Sequence, residues 1–218
     1  MALNEFLKTM FVDALFQTLY MTIVPTVVAT VLGFMLAIIL VVTAPKGLKP
    51  NYMVNKVLGV IVNVLRSFPF IILIIALFPI TRLITGTSIG ETAALVPITI
   101  GAAPFIARVI ESALNEVEPG LIEAAKSFGA TKTQIIFKVM IKEAMPSIAT
   151  GVTLSSISII GYTAMAGAVG AGGFGNVAIV YGYQQFDTNI MIYTVVALII
   201  LVQLIQGAGN LLYKKLRN

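Results

Sequence analysis

Between Asp13 and Lys46 the chain carries no charged residue. A membrane-crossing helix needs about 20 consecutive, mostly apolar residues, so this stretch alone is long enough to cross the bilayer. A second uncharged stretch runs from Ala144 to Phe186. Of the 218 residues, 58% are hydrophobic and only 11% are charged, whereas a soluble domain carries roughly 25% charged residues. So few charges cannot cover a water-facing surface, and the sequence reads as all-α and polytopic in a membrane.

The charged residues mark where the spans end. They predict five spans, at approximately 15–42, 57–81, 89–108, 148–169 and 188–213, within one transmembrane domain over 1–218. The third is short and contains Pro97 and Pro104, which predicts a kink or an earlier start. The N-terminus lacks a basic region before its first apolar run, so that run reads as a retained span rather than a secretory signal.

Five spans put the termini on opposite sides. Lys46, Lys49, Lys56, Arg66, Arg108, Lys126, Lys132, Lys138, Lys142, Lys214, Lys215 and Arg217 fall on one side. Lys8 and Arg82 fall on the other, with Glu5, Asp13, Glu91 and Asp187. The excess of Lys and Arg marks the first side as cytoplasmic. The N-terminus is then outside, the C-terminus inside, and the loop 109–146 cytoplasmic.

Composition also narrows the chemistry. There is no cysteine and no histidine, which removes thiolate catalysis, histidine acid–base chemistry and the common zinc sites. No metal site is expected, and the net charge of +5 is explained by its distribution without nucleic acid. No GxxxxGK[ST] phosphate loop is present. The glycine-rich Gly170–Gly175 stretch lacks the lysine that would reach phosphates. No mid-span carboxylate pair suggests proton coupling, and no internal repeat suggests an inverted-repeat carrier. Energy for any transport must come from another protein.

The cytoplasmic loop holds most of the acidic residues. Pro119 suits the first position of a helix and Gly129 the residue just past its end. Leu121, Ala124, Ala125 and Phe128 then share one apolar face. Thr131-Lys132-Thr133-Gln134 has the pattern of a capping box and predicts a second helix. Ile135, Ile136, Val139 and Met140 form its apolar face, and Pro146 is expected to mark the bend into the fourth span. Periodicity leaves two readings open: surface helices lying on the membrane, or a short helix docking in a groove on a cytoplasmic partner. An isolated helix this short is marginal in water and must pack against something.

Glu123-Ala124-Ala125, with Gly129 following, then Ile141 and Met145-Pro146, resembles the EAA motif of binding-protein-dependent ATP-binding-cassette permeases. The spacing to Ile141 is a little longer than in the family, and Met145-Pro146 replaces its Leu-Pro. Arg66–Phe70, Gly101–Arg108, Gly167–Gly175 and Tyr181-Gly182-Tyr183 resemble the D/L-methionine importer permeases, so that the likeness covers nearly the whole chain. The resemblance implies an ABC-permease fold and a homodimer that moves methionine into the cytoplasm. It also implies two cytoplasmic ATPase subunits that carry ATP and Mg, and an extracytoplasmic methionine-binding lipoprotein. The chain itself would be a transport subunit of the bacterial cytoplasmic (inner) membrane, neither an enzyme nor a holder of cofactors. Leu121, Glu123, Ala124, Ala125, Phe128 and Gly129 would form the ATPase-coupling helix. Rival readings are a permease for another amino acid or small solute, an ion-coupled carrier, and a membrane scaffold.

Ser158, Tyr162 and Met165 recur on one face of the fourth span and can line the pathway or simply pack. Gly161, Gly167 and Gly170 read as sites of close helix approach rather than ligand contacts, with the glycine turn as an alternative re-entrant external loop. Arg66, placed near the start of the second span, reads as a side chain snorkelling to the interface in preference to a contact for a substrate carboxylate.

Overall fold

The computed structural model describes residues 3–217, with side chains from Lys8 onward. Met1, Ala2 and Asn218 lie outside the described residues, as does the side chain of Glu5, which the charge distribution places on the exterior. The described residues form helices and no strand.

Helix α1 (Leu3–Thr43) packs most extensively on α5 (Glu91–Asn115). Small residues set that crossing. Ala29 and Ala37 are fully buried, and a Cβ on Gly33 would press on the backbone of Ala103 and Ala107. Helix α5 is the hub of the bundle, buried along most of its length from Ala93 to Leu114. It continues through Pro97 and Pro104 and reaches Asn115 as one helix. With 25 residues it spans about 37 Å.

The region of the expected second span is a bent pair. Helix α2 (Tyr52–Ser67) starts at Asn51, whose side chain accepts a hydrogen bond from the Val54 N–H at 3.1 Å. The Asn55 amide donates to the Leu40 carbonyl at 2.8 Å and holds α2 against the end of α1. Helix α2 stops at Phe68, whose backbone is extended because the following Pro69 disfavours helical geometry there. Helix α3 (Phe70–Ala76) then departs at 102°. A short α4 (Phe78–Thr85) follows and ends at Gly86, with φ +80°.

Helix α6 (Pro119–Ser127) lies beyond α5. A single unbroken helix follows from Lys132 to Ala168. It comprises α7 (Lys132–Gln134), a π-helical stretch Ile135–Met140 and α8 (Ile141–Ala168). The expected bend at Pro146 is therefore not a break, since the proline lies inside α8. The departure from α-geometry comes earlier, where the Ile141 N–H reaches back to the Ile136 carbonyl.

A glycine turn leads into α9 (Gly173–Asn176), continued by a π-helical stretch Val177–Gln184. Helix α10 (Thr188–Arg217) starts where the Asp187 carboxylate accepts from the N–H groups of Asn189 and Ile190 at 3.0 and 3.1 Å. Among the described residues, four helices are long and apolar enough to cross a membrane, five if the bent pair counts as one span.

Candidate functional site

The segment expected to couple to a partner is built by two caps facing each other across a tight turn. Pro119 occupies the first turn of α6, where its missing N–H costs nothing. At the other end the Gly129 N–H donates to the Lys126 carbonyl at 2.9 Å, and the Ala130 N–H donates to the Ala125 carbonyl at 3.0 Å. With Gly129 at φ +75°, this is a Schellman closure, and it explains the glycine. Thr131 then opens the next helix with a complete capping box: its hydroxyl accepts from the Gln134 N–H at 3.3 Å, and the Gln134 side chain accepts from the Thr131 N–H at 2.8 Å. Little slack remains between α6 and the helix that continues to Ala168.

The apolar face expected for α6 splits in two. Ile122 and Ala125 pack against the core of the bundle, together with Ala130 beyond the turn. Leu121, Ala124 and Phe128 point away from it, and Phe128 is 91% exposed. Sequence reasoning missed Ile122, which anchors the helix from a position one turn before Ala125. Glu123 is exposed and lines, with Lys46, Lys126 and Ile122, a cleft of about 400 Å³ between α6 and the end of α1.

Arg108 braces this end of the bundle. Its guanidinium pairs with Glu111 at 2.7 Å and donates to the Gly59 carbonyl and the Asn63 side chain at 3.1 and 3.0 Å. The contacts join α5 to α2.

The second candidate group lies on α8. Ser158 and Met165 are exposed, on a stripe that also carries Thr150, Leu154, Gly161 and Ala168. Tyr162 is half-buried beside them, its ring stacked on Phe70 at 4.3 Å between centroids. The three residues therefore do not form one surface: Ser158 and Met165 face outward, and Tyr162 turns toward α3. Gly161 differs from the expectation of close packing, because a Cβ there would meet no atom within 4 Å. Gly167 fits it, since a Cβ would collide with the backbone of Gly175 and Asn176. The glycine turn is pinned to α1: the Gly173 N–H donates to Gln17 at 2.7 Å and the Phe174 N–H to the Thr18 hydroxyl at 2.9 Å.

Residues 30–218 match the family described as binding-protein-dependent transport system inner membrane components. The chain is 53% identical over 176 residues to a probable D-methionine transport system permease protein, MetI, of Vibrio cholerae, covering 81% of this chain and 78% of that protein. It is 47% identical over 173 residues to the methionine import system permease protein MetP of Bacillus subtilis, with 79% and 78% covered. Its fold superimposes on a chain of the inward-facing MetNI methionine ABC transporter with a TM-score of 0.95, at 43% identity and 99% coverage of both chains. An amino acid ABC transporter crystallised with histidines shares the fold at a TM-score of 0.80 and 17% identity.

Proposed function

The chain belongs to the family of binding-protein-dependent transport system inner membrane components, and on that premise we propose how it works. It is the multi-pass permease subunit of an ATP-binding-cassette importer of methionine and is not itself an enzyme. Two copies enclose the pathway, two cytoplasmic ATPase subunits bind ATP and Mg below them, and an extracytoplasmic protein delivers methionine from above. The N-terminus is outside and the C-terminus is cytoplasmic.

The observation that carries the mechanism is the outward apolar edge of α6. A helix of 9 residues has little stability of its own, yet this one is held by its caps and by Ile122 and Ala125. Its free edge presents Leu121, Ala124 and the exposed Phe128 ring, with Ala124 small enough to permit close approach. That edge suits a groove on the ATPase. Glu123 lies beside it, placed to pair with a cation there. Because the turn after Gly129 is tight and Lys132–Ala168 is one helix, movement of α6 is passed to the stripe carrying Ser158 and Met165. We assign that stripe to the pathway.

Reconstitution tests the reading. The permease, its ATPase and its binding protein, placed together in proteoliposomes, should accumulate methionine only with ATP. Uptake driven by an ion gradient without ATP would instead establish a secondary carrier, and ATP-driven uptake of another solute alone would reassign the substrate.

A further inference from the structure

The last turn of α2 carries Arg66, directly before the break at Phe68 and Pro69. Its guanidinium carbon lies 5.7 Å from the centre of the Phe105 ring on α5. At about 1.5 Å per residue, Phe105 is about 21 Å along α5 from Glu91 and about 15 Å from Asn115. Arg66 thus sits over the face of α5 about one turn before Arg108, with its side chain exposed.

An arginine beside membrane-spanning helices that lacks a partner in its own chain is a candidate contact for an anionic ligand group. This one has no ion pair among the described residues. The acids of the chain are Glu5, Asp13, Glu91, Glu111, Glu116, Glu118, Glu123, Glu143 and Asp187. Glu111 is taken by Arg108 and lies about 9 Å farther along α5 than Phe105. Glu5 and Asp13 lie in the N-terminal part of α1, Glu91 opens α5, Glu143 lies near the start of α8, and Glu116, Glu118, Glu123 and Asp187 lie outside the long helices.

The surroundings of Arg66 form a cleft. Phe68, Phe70, Phe105 and Tyr162 line it with Arg66, around a volume of about 100 Å³. Gly101 opens it, since a Cβ there would press on the Phe70 ring at 3.2 Å. The walls are aromatic and the one formal charge is a guanidinium, whose planar fork matches a carboxylate. Tyr162 is one turn from both Ser158 and Met165 on α8.

We propose that this cleft is the subsite for the α-carboxylate of the transported amino acid, with Arg66 as its ion partner and the aromatic rings against its apolar portion. The proposal rests on the reading of the chain as an amino-acid permease. The test is equilibrium binding of radiolabelled L-methionine to the purified permease–ATPase complex without binding protein. Its decarboxylated analogue, 3-(methylthio)propylamine, serves as competitor. The wild type should bind methionine saturably, with the amine about tenfold weaker or worse. Arg66→Gln should weaken methionine binding about 10- to 100-fold while leaving the amine unchanged. Arg66→Lys should fall between, since it keeps the charge but loses the fork. If Arg66→Gln does not assemble, the same split in Arg66→Lys decides.

Wild-type affinity in Arg66→Gln overturns the proposal. So does equal loss for both compounds, equal binding of both by the wild type, or no saturable methionine binding. ATP-driven methionine uptake by the wild-type system separates the two levels. Uptake alongside any of these outcomes removes the subsite alone; its absence removes the functional reading and the subsite with it.

Discussion

Phe128 shows what a single side chain contributes to this fold. At 91% exposure it makes little contact within its own chain, so truncating it should leave the permease intact. On a partner surface, an aromatic ring seated in a pocket is the type of residue whose loss costs 2 kcal/mol or more, roughly 30-fold in affinity. Phe128→Ala is therefore expected to weaken ATPase binding by about that factor with unchanged thermal stability of the permease alone. Titration of the ATPase against detergent-solubilised permease measures it, and undiminished affinity would return Phe128 to an idle surface residue. Gly129 acts through the backbone instead. Its φ of +75° costs a residue with a side chain about 1–2 kcal/mol, although the space around it is open. Gly129→Val should loosen the end of α6 and reduce ATPase co-purification, while Gly129→Asn, whose side chain tolerates this conformation, should largely retain it. Met165 is exposed on the α8 stripe. Met165→Ala should alter the transport rate with assembly unchanged; wild-type kinetics would remove it from the pathway.

Between elements, small residues decide how closely helices approach. At the crossing of α8 and α10 a Cβ on Gly209 would overlap the Thr153 side chain, and Thr153 is buried with its hydroxyl donated to the Ala149 carbonyl at 2.8 Å. Gly209→Val should force the helices apart, an overpacking cost of about 1–3 kcal/mol. Gly207, near it on α10, has open space where its Cβ would go. Gly207→Ala should be neutral or slightly stabilising, because alanine favours the helix. Thermal denaturation of the two variants in detergent compares them directly. Equal melting temperatures would mean the crossing is not close-packed. The same logic explains the glycine turn, where Gly167, Gly172 and Gly175 each leave no room for a Cβ.

At the scale of the whole molecule, orientation is the property on which the coupling mechanism depends. The chain contains no cysteine, so single cysteines report sidedness cleanly. Ser127→Cys on α6 and Thr87→Cys in the turn before α5 both replace exposed residues. A membrane-impermeant maleimide should label Cys at 127 only from the cytoplasmic face of sealed vesicles, and Cys at 87 only from the exterior. The reverse pattern would put α6 out of reach of any ATPase.

Much of the site was legible locally because its signals are local. Pro119, Gly129 and the Thr131–Gln134 pair bracket α6 and open the next helix by satisfying backbone groups within a few residues of themselves, and such chemistry can be read along a line. The uncharged runs declared a membrane protein for the same reason, since the cost of burying charge in lipid is paid residue by residue. What the tertiary structure alone decided is direction and contact. Which edge of α6 turns outward depends on where Ile122 and Ala125 find the bundle. The stacking of Tyr162 on Phe70 joins residues far apart in the chain. The seat of Arg66 over Phe105 depends on how α2 packs before the 102° break that follows it. Those are set by the summed packing of several helices, which no single stretch of residues encodes.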